Sequence, residues 1–65
     1  MSERLSTREK EVLRMVASGL TSAEIGGRLL ISSMTVNTHV RSIYRKLQVH
    51  TRAQAVRFAS VRGLF

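Results

Sequence analysis

A chain of 65 residues with no cysteine can build one small core, with no disulfide and no thiolate metal site to brace it, which argues against a deep-pocketed enzyme and against a stapled secreted module. No apolar run approaches the ~20 residues of a membrane span, and the opening MSERLSTREKE is too polar for a secretory signal, so the expected address is cytoplasmic. The net charge is +7 and unevenly placed: the four acids (Glu3, Glu9, Glu11, Glu24) fall in the first 24 residues beside four bases, whereas from Ile25 onward there are seven bases (Arg28, Arg41, Arg45, Lys46, Arg52, Arg57, Arg62) and no acid. Such a field draws a polyanion, either nucleic acid or an anionic membrane surface, with a plain solvated basic surface as the alternative.

Four helix starts punctuate the chain. Ser6-Thr7-Arg8-Glu9 fits a capping box, in which a hydroxyl accepts from an orphan amide and an acid three residues on accepts from the cap's own amide. It opens a first helix over residues 7–18, with Val12, Leu13, Val16 and Ala17 at helical spacing and Gly19 at its stop. Thr21-Ser22-Ala23-Glu24 repeats the pattern and opens a second helix over residues 22–30, with Ile25 and Leu29 inward. Gly26 and Gly27 are discordant there, since each costs about 1 kcal/mol relative to alanine. At Gly26, beside inward Ile25, the missing side chain lets two helices approach; Gly27 has no such account.

Only Ile31-Ser32 separates the second helix from a third over residues 33–48, which Ser32 or Ser33 caps. A short helix, a tight turn and a longer helix make a helix-turn-helix. Thr51-Arg52-Ala53-Gln54 opens a fourth helix over residues 52–62, with Gly63 after it. The chain has no proline, repeat or low-complexity stretch, and the expected fold class is an all-α, four-helix arrangement in one domain spanning residues 1–65.

The third helix is the informative one. At ~100° per residue, Val40, Ile43 and Leu47 fall within about 40° of Val36 and fix its buried side. The opposite side carries Asn37, Thr38, Arg41, Ser42 and Arg45, with His39 and Lys46 on one flank and Tyr44 on the other. An ordinary solvated face mixes charge signs, and this one has no acid. A helix fits the major groove, where Arg bonds a guanine edge, Asn an adenine edge, and Thr a polar atom or a thymine methyl. In a helix-turn-helix the N-terminal part of the second helix does the reading.

Plainer readings stand beside these. With two histidines, no cysteine and no acid after Glu24, His39 is a flank residue that packs and touches a phosphate rather than a ligand or base. Arg41 is alternatively a solvent-facing cation, and Thr35 serves the cap as readily as DNA. Arg52 fits an ion pair with Glu9 as well as a phosphate. In the fourth helix, Ala55, Phe58 and Ala59 form a stripe for the core; Ala53, Val56 and Ser60, with Arg57 beside them, form a second. That second stripe is the candidate dimer contact, small enough that pairing would need DNA, and its alternative is a solvent-facing surface.

The chain resembles the LuxR-type DNA-binding domain of bacterial transcription regulators. The match runs through LSTREKEVLRMVASGLTSAEI at 5–25, LLISSMTV at 29–36, His39, Ile43, KLQV at 46–49, Arg52, AV at 55–56, Ala59 and GL at 63–64, without a gap. The resemblance implies a four-helix domain whose third helix enters the major groove and whose fourth mediates dimer formation. Carried over, it places Asn37, Thr38 and Arg41 at base edges, Ser33, Thr35, Arg45 and Lys46 at phosphates, and Thr21 and Ser22 where the second helix starts near the backbone. Two positions depart from the family's habit: Asn37 stands where lysine is usual, and either reads adenine or bonds its own backbone; Gly26 stands where alanine is usual.

The expected function is sequence-specific binding of double-stranded DNA by a homodimer at the bacterial nucleoid, with no cofactor, metal, small-molecule ligand or membrane. Two alternatives are a protein-interaction module that pairs with a related regulator, and a promoter-binding region of a sigma factor, which the ending RFASVRGLF argues against. Whether the chain is a whole protein or part of a larger regulator is left open by its sequence.

Overall fold

The structure is a computed structural model describing residues 4–63; Glu3 and Leu64, named above, lie outside them. The described residues form α1 (Thr7–Ala17), α2 (Ser22–Leu29), α3 (Ser33–Leu47) and α4 (Arg52–Val61), and contain no strand. Each helix ends one residue before its predicted limit, because that residue is the C-cap: Ser18 and Arg62 sit near ψ 0°, while Leu30 and Gln48 turn left-handed.

The starts follow side-chain chemistry. Ser6 and Glu9 close a full capping box, with Glu9 N–H donating to Ser6 Oγ (3.1 Å) and Ser6 N–H to Glu9 Oε1 (2.8 Å). Thr21 and Glu24 do the same at 3.2 and 2.9 Å, and the Thr21 amide and hydroxyl hold the Glu24 carboxyl below its ordinary range. At α3 the cap is Ser32, whose Oγ accepts from Thr35 N–H (3.1 Å). At α4 only half the box forms: Thr51 accepts from Gln54 N–H, but the Gln54 carbonyl accepts from His50 N–H, one residue early.

Two stops use glycine, Gly19 at φ +91° and Gly63 at φ +67°. The other two use side-chain-bearing residues, Leu30 at φ +58° and Gln48 at φ +56°, a conformation that costs an L-residue roughly 1–2 kcal/mol. Leu30 N–H and Ile31 N–H both donate to Gly26 O, which draws the turn tightly over the end of α2. A Cβ on Gly26 would meet Ile31 O at 2.6 Å, so glycine is what permits this approach. A Cβ on Gly27 would meet nothing within 4 Å, and no contact accounts for that glycine.

The core joins all four helices: Val12, Leu13 and Val16 of α1, Ile25 of α2, Val36 and Ile43 of α3, and Ala55 and Ala59 of α4. Leu29, Val40, Tyr44 and Leu47 pack half-buried around it. Phe58, expected in the core stripe, is half-buried instead, with the Arg62 guanidinium 5.0 Å from its ring centre; α4 meets the core through the small side chains of Ala55 and Ala59. No helix among the described residues is long and apolar enough to cross a membrane.

Candidate nucleic-acid interface

With Val36 and Ile43 turned to the core, α3 presents the other side of its first turns outward. Ser32, Met34, Thr35, Asn37, Thr38 and Arg41 line one shallow concave surface. A second concavity continues it along the helix, lined by Arg41, Tyr44, Arg45, Gln48, Val49 and His50. Asn37, Thr38 and Arg41, which sequence selected as base-facing, are thus brought together and exposed. The described residues give Arg41 no hydrogen-bond or ion-pair partner, so its guanidinium is available to an outside acceptor.

The polar groups around it are partly committed. Ser22 Oγ, at the start of α2, donates to Asn37 Oδ1 at 2.6 Å. Asn37 therefore does not bond its own backbone: its acceptor side is held by the neighbouring helix, and its amide nitrogen is what remains to offer. Thr38 Oγ1 donates to Met34 O (3.1 Å), which spends its only proton within the helix. Thr35 Oγ1 shares a 2.9 Å hydrogen bond with the capping Ser32 hydroxyl, so Thr35 belongs to the cap and to the outer surface at once. Ser33 and Thr21 are exposed, Arg45 is exposed farther along, and His39 is half-buried on the flank.

Three sequence expectations need correction. Lys46 is not a phosphate-facing cation: its Nζ lies 2.7 Å from Glu9 Oε1, with 17% of the side chain exposed. Ser42 is not on the open side: its Oγ donates to Glu9 Oε2 at 2.6 Å. The reason is common to both, since α1 packs against the flank of α3 on which they fall, and the carboxylate of Glu9 supplies the charge that lets Lys46 turn inward. Arg52 does not pair with Glu9; although exposed, it donates to Val16 O in the last turn of α1 and to Leu20 O in the loop that follows, both at 2.7 Å.

Glu9 is thus a node: beyond its cap it pairs with Lys46, not with the Arg52 that the sequence offered. Its burial alone raises the carboxyl, but hydrogen bonds from Lys46, Ser42 and Ser6 outweigh that and bring it from 4.5 to about 2. It is ionised at neutral pH and fixes the flank of α3, not its reading face.

The dimer candidates on α4 gather as well. Ala53, Val56, Arg57 and Ser60 line a shallow groove together with Arg52, with Val16 and Ala17 of α1 and with Gly19 just beyond it. The participation of α1 was not visible in the α4 stripe alone.

The short cap-turn-cap passage from α2 into an outward, acid-free α3 is accompanied by a match in sequence: the family model for bacterial regulatory proteins of the luxR family (GerE) covers residues 3–59. The chain belongs to the luxR family. This luxR-family domain is 46% identical over 57 residues to the transcriptional regulatory protein LiaR of Bacillus subtilis, covering 88% of this chain and 27% of that protein. It is 47% identical over 51 residues to the nitrate/nitrite response regulator protein homolog of Haemophilus influenzae, covering 78% of this chain and 24% of that one. Its fold matches the crystal structure of the response regulator ChrA of a heme-sensing two-component system with a TM-score of 0.90 and 37% identity, over 100% of this chain and 32% of ChrA. The luxR-family domain spans about a quarter of the length of these two curated relatives. Family membership makes it a helix-turn-helix, DNA-binding domain of transcription regulation, and the family is not enzymatic.

Proposed function

We propose that this luxR-family domain, acting as one unit at the bacterial nucleoid, lays the N-terminal half of α3 in the major groove and reads a preferred sequence there. The observation that carries this reading is Arg41, unpartnered among the described residues and set among exposed Asn37 and Thr38 on a helix face without an acid. Arg41 reads a guanine edge. Asn37 contributes mainly its amide nitrogen, since Ser22 holds the oxygen. Ser33, Thr35, Arg45, His39 and the α2 start at Thr21 and Ser22 serve phosphates flanking the groove. Lys46 is left out of this set because Glu9 already neutralises it.

Two copies meet across the groove formed by Ala53, Val56, Arg57 and Ser60 with the end of α1. So small a contact holds weakly in free solution and is completed on adjacent half-sites.

Selection of binding sites from a random duplex pool tests both parts. An enriched inverted repeat supports reading and pairing together; an enriched single half-site supports reading and overturns pairing; no enrichment overturns both and favours a protein-interaction role. Ala53→Gln, which adds bulk without charge at an exposed position, is expected to weaken binding to the full repeat several-fold and leave a single half-site duplex unchanged. Equal binding of both duplexes by variant and parent would refute the pairing face.

A further inference from the structure

One residue on the outward face of α3 is unused by this reading. Met34 is 78% exposed at the second position of the helix, one of the few large apolar side chains left to solvent. Thr38 and Arg41 follow it at four and seven residues, so the three share one helix face, and they line the same shallow concavity with Ser32, Thr35 and Asn37. Every other member of that lining is polar or cationic. Met34 contributes little to the core, and its neighbour Thr38 has already given its hydroxyl proton to Met34 O. The polar reading surface therefore contains one apolar side chain, next to a threonine whose hydroxyl proton is already spent.

In the major groove the apolar feature on a base edge is the C5-methyl group of thymine. The residues that reach base edges in a helix-turn-helix come from the first turns of the second helix, where Met34 stands. An unbranched, polarizable thioether adapts its shape to such a group without a fixed rotamer. The surrounding cations and the lack of any acid after Glu24 suit this patch to a polyanion rather than to a basic protein surface.

We propose that Met34 is a specificity-determining residue that recognises thymine by burying its C5-methyl group; the proposal rests on α3 lying in the groove. Deoxyuridine differs from thymidine only in lacking that methyl, so it isolates the contact. Each thymine of the selected half-site is replaced in turn by deoxyuridine, and affinity is measured for the parent domain, Met34→Ala and Arg41→Ala. The parent is expected to lose about fourfold at one thymine per half-site, the worth of one buried methyl group. Met34→Ala should bind the thymine duplex more weakly and no longer distinguish it from the uracil duplex. Arg41→Ala should bind more weakly yet keep the thymine preference.

If the parent still prefers its selected site over random duplex but binds thymine and uracil forms equally, the Met34 contact is overturned while the reading by α3 stands. A thymine preference that survives Met34→Ala overturns it too and moves the contact to Thr38. Unchanged affinity of Met34→Ala for every duplex would assign the exposed methionine to a protein partner. Because Met34 is outside the core, circular dichroism and melting of Met34→Ala should match the parent, separating loss of contact from loss of fold.

Discussion

Neutralising Glu9 should remove a large part of the domain's stability. Its carboxylate is 5% exposed and is the meeting point of the α1 cap, Ser42 and Lys46. Moving its carboxyl from 4.5 to about 2 on folding corresponds to roughly 3 kcal/mol in favour of the folded state. Because the folded-state value is the lower one, that contribution is full above about pH 4.5 and is lost as the pH falls through about 2. A domain of 65 residues has only about 3–10 kcal/mol in total, so the node decides whether it stays folded in acid. Glu9→Gln keeps the shape and discards the charge. Urea unfolding followed by circular dichroism at pH 7 should show a loss of about 3 kcal/mol, or a fall in Tm of roughly 12–24 °C. At pH 2 the gap between variant and parent should largely close. Adding Lys46→Met to Glu9→Gln should recover part of the loss, because the single change strands the charge of a side chain that is only 17% exposed. A loss below about 1 kcal/mol at pH 7, or a gap that stays constant from pH 7 to pH 2, would refute the reasoning.

The two adjacent glycines should behave oppositely. Gly27→Ala has open space and should raise stability by about 1 kcal/mol, whereas Gly26→Ala places a Cβ 2.6 Å from Ile31 O and should lower it by roughly 1–3 kcal/mol; equal melting temperatures would remove the close-approach account. Arg41→Ala should cost roughly 1–3 kcal/mol on the selected site and less on random duplex, and an equal loss on both would make Arg41 a phosphate contact. Ser22→Ala releases Asn37 Oδ1 and should shift the preference at the base pair facing Asn37 toward adenine, as read by repeating the site selection. A uniform loss on all sequences would leave Ser22 its phosphate role alone and overturn its hold on the specificity of Asn37.

What sequence conveyed well was local. Ser6, Thr21 and Thr51 each announced a helix because a cap acts within four residues, and Val36, Val40 and Ile43 announced the buried side of α3 through its period. Gly19 marked a stop, while Leu30 and Gln48 gave no sign of theirs, since neither residue type favours the left-handed turn that tertiary packing imposes. The outward grouping of Asn37, Thr38 and Arg41 was legible for the same periodic reason. Contacts between distant segments were not: Lys46 to Glu9, Arg52 to the end of α1, and Ser22 to Asn37 each depend on how helices are placed against one another. One signal was there to be used. Glu9 stands three, four and seven residues before Val12, Leu13 and Val16, on the apolar face of its own helix, and a carboxylate in that position requires a cation from elsewhere in the chain.

The two ends of α1 hold different neighbours. Near its start Glu9 grips α3 through Ser42 and Lys46; at its finish Val16 O is gripped by Arg52 of α4. These anchor points are about two turns apart, so both come round to one side of the helix. α1 thereby serves as a gauge that sets the separation and the rotation between the helix proposed to read DNA and the helix proposed to meet a second copy. Its solvent-facing residues can change freely under this arrangement, but its length cannot. A single residue inserted between Glu9 and Val16 would turn one anchor ~100° from the other and break the alignment even if every side chain on both helices were kept.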